Sequence, residues 1–137
     1  RYRYDLARIY MNRKQYSDAM RLYREILDGE PASLEAMTAL GMIYGIVGRD
    51  SLSENMFLAA IAMDSTSVIA YENLAGVYLK TNQPDLAVAT LEKCISIAPR
   101  EPRLYEDMRI LYTRIGDPEK AKLYSDKAAA LRRERSN

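Results

Sequence analysis

The chain contains no histidine and no tryptophan, one cysteine and one phenylalanine. Without histidine there is no His-based nucleophilic triad, no imidazole general base and no histidine metal ligand. A single cysteine excludes an intramolecular disulfide and any Cys-cluster zinc or iron–sulfur centre. It leaves the compartment open, cytoplasm or periplasm. An excess of one charge is missing as well: 20 Lys+Arg against 19 Asp+Glu give a net charge of +1. That balance argues against a nucleic-acid binder relying on a broad basic surface. No apolar run approaches the roughly 18 residues a membrane span needs. No basic-then-apolar leader opens the chain, so it reads as a soluble segment. There is no G-x4-G-K phosphate loop and no dinucleotide fingerprint, and no cofactor or metal is expected. The chain opens on Arg1 within a helical pattern, from which further sequence upstream is expected.

Glycine and proline are also scarce, 6 and 5 residues, and they sit at regular places. Asp28-Gly29-Glu30-Pro31 and Ala98-Pro99-Arg100-Glu101-Pro102 end helical stretches, and Gly48-Arg49-Asp50, Asn82-Gln83-Pro84 and Gly116-Asp117-Pro118 interrupt them. Asp117 before Pro118 reads as an N-cap with proline at the first helical position. What is abundant is apolar residues (48%), dispersed at helical spacing, as in Leu86, Val88, Leu91 and Ile95. No useful period-2 alternation exists. The pattern predicts an all-α chain in segments of about 12–16 residues joined by short turns.

The pattern repeats every 34 residues: Tyr10, Tyr44, Tyr78 and Tyr112 are four positions at that step without a gap. Leu6, Leu40, Leu74 and Met108 share it, as do Ala19, Ser53, Ala87 and Ala121. Small residues recur at Ala7, Gly41 and Ala75, and large ones at Tyr23, Phe57 and Leu91. Several independent columns on one period mark a repeat architecture. Each unit is read as two antiparallel helices, with the small residue of the first against the small residue of the second. One such pair cannot bury its apolar face alone, so neighbouring pairs stack. Cys94 stands in a small-residue column with Ile26, Ala60 and Ala128 and reads as a buried small hydrophobe.

These columns resemble the tetratricopeptide repeat (TPR) signature, W/Y-x2-L-G/A-x2-Y … A-x3-F/Y … P. The second unit has Met37-x2-Leu40-Gly41-x2-Tyr44 and Ser53-x3-Phe57. The third has Tyr71-x2-Leu74-Ala75-x2-Tyr78, Ala87-x3-Leu91 and Pro99. The first has Leu6-Ala7-x2-Tyr10, Ala19-x3-Tyr23 and Pro31, and the fourth Tyr105-x2-Met108-x3-Tyr112 and Ala121. The resemblance implies a right-handed α–α superhelix, a TPR solenoid of about four helix-turn-helix repeats within a single domain, 1–137. Its units would be 1–33, 34–67, 68–101 and 102–135. Two departures stand out. Ser65 replaces the closing proline of the second unit, which predicts a less sharply defined boundary there. Arg109 and Ser125 occupy packing columns of the fourth unit, which with the basic tail Leu131–Arg135 reads as a C-terminal cap.

The resemblance also implies a function: a non-catalytic scaffold that binds a peptide or partner protein in a concave groove lined by the first helices. By register, the groove would carry Arg8, Met11, Asn12, Met42, Ile46, Asn73, Leu79, Lys80, Ile110 and Arg114. Tyr4, Gly45 and Gly76 fall on the same face, with Glu72, Asp107 and Arg103 as polar members. Apolar residues on a face the core does not need form a candidate contact strip, and methionine suits adaptable contact. A basic clamp for a chaperone tail is disfavoured: the two possible registers give Tyr4, Arg8, Ala39, Ile69, Asn73 and Thr38, Met42, Asn73, Arg103, Asp107, too few cationic donors for two carboxylates.

Three other readings compete. The chain fits an accessory repeat segment of a larger enzyme or membrane protein, such as a glycosyltransferase. A pentatricopeptide-type RNA binder is disfavoured by the 34-residue step and the net charge of +1. A homo-oligomer would form if two chains covered an uncapped first repeat at Tyr2, Leu6 and Ile9.

Overall fold

A computed structural model describes residues 1–137 and is all-α. Its helices are α1 (Tyr2–Asn12), α2 (Tyr16–Gly29), α3 (Leu34–Ile46), α4 (Asp50–Met63), α5 (Val68–Lys80), α6 (Pro84–Ile97), α7 (Pro102–Ile115) and α8 (Pro118–Ser136). None is long and apolar enough to cross a membrane. The chain forms two compact units, Arg1–Ala70 and Tyr71–Asn137.

Within each hairpin the turn is built the same way. One residue takes a left-handed conformation at Lys14, Gly48, Asn82 and Gly116, with φ of 58°, 82°, 59° and 91°. The next residue's N–H then returns to a tyrosine carbonyl: Gln15 to Tyr10 at 2.8 Å, Arg49 to Tyr44 at 2.8 Å, Gln83 to Tyr78 at 2.7 Å and Asp117 to Tyr112 at 2.9 Å. This six-to-one bond closes the C-terminus of a helix and needs a left-handed residue before it. Glycine fits freely and asparagine tolerates the position. Lys14 is the one residue of the four with no chemical preference for it.

Between hairpins the turns are short, and serine caps the helix that follows in two of the three. Ser33 Oγ accepts from Ala36 N at 3.1 Å, and Ser67 Oγ accepts from Ala70 N at 3.3 Å. Within the last hairpin, Asp117 also caps α8, accepting from Lys120 N at 3.0 Å, with Pro118 opening the helix as the sequence predicts. The boundary at Ser65 is as tight as its neighbours, contrary to expectation. Asp64 Oδ1 accepts from both the backbone N (3.0 Å) and the hydroxyl (2.6 Å) of Thr66, and this side-chain turn replaces the missing proline.

In the first unit the core gathers Ala7, Ala19, Tyr23, Ile26, Leu40, Ile43 and Tyr44, all buried. Helices α3 and α4 approach closely. The Ser53 hydroxyl donates to the Gly41 carbonyl at 2.6 Å, and a Cβ placed on Gly41 would lie 2.7 Å from the Phe57 ring. The small columns therefore do meet, and Gly41 is demanded by approach rather than by backbone angle. In the second unit Leu74, Leu91, Leu104, Met108, Leu111 and Tyr112 are buried. Tyr112 and Tyr124 stack at 5.6 Å. Cys94 is fully buried, and burial, reinforced by the nearby Glu72 and Asp107 charges, pushes its thiol up to about 12. Helix α8 runs past its hairpin partner. Its basic end is tied down by Arg100–Glu134 (2.6 Å), Arg135–Glu101 (3.7 Å) and Arg132–Glu106 (3.8 Å).

Candidate functional site

The ten residues assigned to the groove fall on the first helix of each hairpin: Arg8, Met11 and Asn12 on α1, Met42 and Ile46 on α3, Asn73, Leu79 and Lys80 on α5, Ile110 and Arg114 on α7. Arg8, Asn12, Lys80 and Arg114 are exposed, and Met11, Asn73 and Leu79 are half-buried. Arg8 pairs with Asp5 at 3.7 Å, an exposed contact worth little. Met42, Ile46 and Ile110 leave 43%, 54% and 43% of their surface in solvent, large apolar side chains that no core contact requires.

In the first unit, Met42 and Ile46 lie one turn apart and form a small apolar step on α3. Gly45, beside Ile46, turns towards α4: a Cβ there would meet the Ser53 hydroxyl at 3.4 Å. Tyr4 does not line an open face. It is buried in the first-unit core, with its hydroxyl donating to Glu30 at 3.0 Å and bonded to Ser33 Oγ at 2.6 Å. A phenol with two partners within one hairpin-to-hairpin turn is drawn inward, and a register argument cannot see that.

The second unit brings three of the ten residues together. Asn73, Leu79 and Ile110 line a cavity of about 390 Å³, with Ala75, Gly76, Ala87, Leu91 and Leu111 as apolar wall and Glu72 and Asp107 as acidic members. The space beside Gly76 is open: a Cβ there would find nothing within 4 Å. Lys80 and Arg114 are not among the lining residues.

The polar side of this cavity is a three-residue cluster. Arg103 Nε and Nη2 donate to the two oxygens of Glu72, both at 3.0 Å, a bidentate fork. The Glu72 and Asp107 carboxyls share a hydrogen bond, and the two titrate in opposite directions. Burial raises Glu72, but the hydrogen bonds from Asp107 and Arg103 and the Arg103 charge outweigh it and hold the carboxyl below its ordinary value. Burial pushes Asp107 up to about 7, helped by its bond to Glu72 and by the Glu72 charge. The pair therefore takes up a proton as the pH falls through about 7, with Asp107 the favoured holder and Glu72 the favoured charge. This cluster also settles how Arg103 is used: its fork is filled by Glu72 and is not offered to a carboxylate ligand.

Sequence reasoning placed Glu72, Asp107 and Arg103 on one face but missed their coupling. A signal was there: Arg103 and Asp107 are four apart, which puts both on one side of α7.

Comparison with known proteins gives a consistent picture. The family profile described as tetratricopeptide repeat matches residues 68–101, and a second profile of the same description matches 1–43. A human protein O-mannosyl-transferase, TMTC1, is 22% identical over 103 residues, 75% of this chain and 12% of that protein. The type IV pilus assembly protein PilF of Pseudomonas aeruginosa is 23% identical over 126 residues, 90% of this chain and 50% of that protein. The chain thus spans half or less of both curated relatives. The crystal structure of MamA superposes with a TM-score of 0.88 and 25% identity, over 98% of this chain and 78% of that one. A solved structure of the Pseudomonas PilF gives a TM-score of 0.84 at 22% identity.

Proposed function

Because the chain belongs to the tetratricopeptide repeat family, whose proteins are protein-interaction scaffolds, we propose that it is a non-catalytic scaffold binding a peptide or partner protein along the first helices of its hairpins. The observation that carries this reading is the cavity on the second unit, where Asn73, Leu79 and Ile110 converge beside a polar cluster. Exposed Met42 and Ile46 on the equivalent helix of the first unit support it. A concave, mostly apolar site with a few placed polar groups is the usual form of a ligand pocket. Changing Met42 and Leu79 together to Asp abolishes partner capture in a pull-down while far-UV circular dichroism keeps its helical signal. Unimpaired capture by that double variant refutes the assignment of the face. A homo-oligomer through α1, where Tyr2 and Ile9 are exposed, extends the same reading. A concentration-independent monomer mass removes it.

A second reading has one observation in its favour. The match to the human O-mannosyl-transferase covers only 12% of that protein, as an appended repeat segment would. Sequencing the gene beyond both ends of this chain tests it: an adjoining catalytic or membrane-spanning segment supports an accessory role, and a reading frame confined to these residues excludes it.

A further inference from the structure

The cavity on the second unit combines two features that seldom share a wall. Leu79, Ile110 and Leu91 make it apolar, and the Glu72–Asp107 pair closes one side with two carboxyls. The cluster holds one cation, Arg103, and its fork is filled by Glu72. Glu106, the next carboxylate on α7, is engaged by Arg109 and, at 3.8 Å, by Arg132 from α8. The group facing from α6 is the neutral thiol of Cys94. The Arg103 charge reaches Asp107 as well, but two carboxyls face this one cation, so the pair is one positive charge short at the edge of an apolar recess. It must hold a proton or meet a positive charge.

We infer that this cavity is the socket for a basic side chain of the partner, a lysine or arginine. Its aliphatic stem lies along Leu79 and Ile110 and its cationic head meets the Asp107 carboxyl. The inference rests on the partner-binding reading above and names the chemistry of the segment that enters. Long cationic side chains bury their stems on apolar surface while the head seeks a carboxylate, which is the pairing this wall offers. An acidic side chain would face two carboxyls. A purely apolar one would remove water from Asp107 and supply no charge to the pair. A volume of about 390 Å³ lies within the range that accepts a side chain or small ligand. Gly76 lines the recess, and a Cβ there would meet nothing within 4 Å. Binding and protonation are exclusive at Asp107. The cation therefore displaces the proton, and capture weakens as the pH falls through about 7.

The test uses the full chain and n-pentylammonium as probe, with 1-pentanol and pentanoate as controls, followed by the methyl resonances of Leu79 and Ile110. At about pH 8, n-pentylammonium gives saturable shifts at both residues, about ten-fold tighter than either control. Asp107→Asn, which keeps the size and the hydrogen bond to Glu72, binds it about ten-fold more weakly and no longer prefers it to pentanol. In the unaltered chain the affinity drops at least about ten-fold between pH 8 and pH 5.5. The pH comparison needs no variant and decides the matter even if Asp107→Asn folds poorly. Equal binding of ammonium and alcohol, or no loss at low pH, overturns the socket. Failure of the scaffold reading looks different: the probe binds as described, yet Met42→Asp with Leu79→Asp still captures the partner.

Discussion

Two glycines, both inside first helices, should respond to alanine with opposite signs. At Gly41 the new Cβ would lie 2.7, 2.8 and 3.0 Å from three atoms of the Phe57 ring. Carbon atoms pack comfortably at about 3.5–4.0 Å, so the ring must retreat by about 0.8 Å. It has nowhere to go: Phe57 is 2% exposed, and the Ser53–Gly41 hydrogen bond of 2.6 Å pins the two helices together. Overpacking of this kind costs about 1–3 kcal/mol, against which alanine's helix propensity returns about 1 kcal/mol. Gly41→Ala should therefore destabilise by about 1 kcal/mol. At Gly76 the Cβ meets nothing within 4 Å, so only the propensity gain remains and the variant should be stabilised by about 1 kcal/mol. Urea unfolding followed by circular dichroism, with amide exchange reading the two units separately, measures both. Adding Phe57→Leu to Gly41→Ala should recover about 1 kcal/mol as a coupling energy, since Leu91 and Ala75 hold the equivalent positions in the third repeat. If Gly41→Ala stabilises as much as Gly76→Ala, the close approach of α3 and α4 is wrong.

Further outcomes follow from single residues. Lys14→Gly relieves a left-handed backbone with φ of 58° and should stabilise the chain by about 1 kcal/mol, read as a higher midpoint of urea unfolding; no gain would contradict the turn geometry. Asp107 keeps its proton up to about 7 when folded but releases it near 3.8 when unfolded, so its contribution to stability is full below 3.8 and is lost as the pH rises through about 7. The ceiling of this effect is about 4 kcal/mol, reduced to about 1–2 kcal/mol by solvent contact and by the opposing behaviour of Glu72. Asp107→Asn should thus be more stable than the unaltered chain at about pH 8 and no more stable at about pH 4, read by thermal unfolding at both. Cys94, fully buried and with its thiol at about 12, should react with a thiol reagent only after unfolding. Rapid labelling of the folded chain would show that the second-unit core is open.

Most of the fold was written in the columns, because burial in a repeat depends on residue size at a fixed register. Gly41, Ser53 and Phe57 announced their contact by size alone. The turns were half legible: Gly48, Asn82 and Gly116 are recognisable punctuation, whereas Lys14 adopts the same conformation only because its hairpin requires it. The site was less legible. Register placed Leu79 and Ile110 on one face, but whether Tyr4 turns inward or Asp107 shares a proton depends on side-chain directions and local burial. Those come from partners such as Glu30, Ser33 and Glu72, which belong to other columns, and register alone does not say which columns pair.

The central claim is that a partner is bound by the first helices and not the second. The most direct measurement compares the affinity of an identified partner for two variants in one titration series. One is Met42→Asp with Ile110→Asp, on first helices. The other is Leu58→Asp with Leu123→Asp, which changes residues of similar exposure on second helices, 43% and 50% against 43% and 43%. The first variant should lose at least about a hundred-fold in affinity and the second less than about three-fold. Equal losses, or a larger loss from the second-helix variant, would contradict the claim.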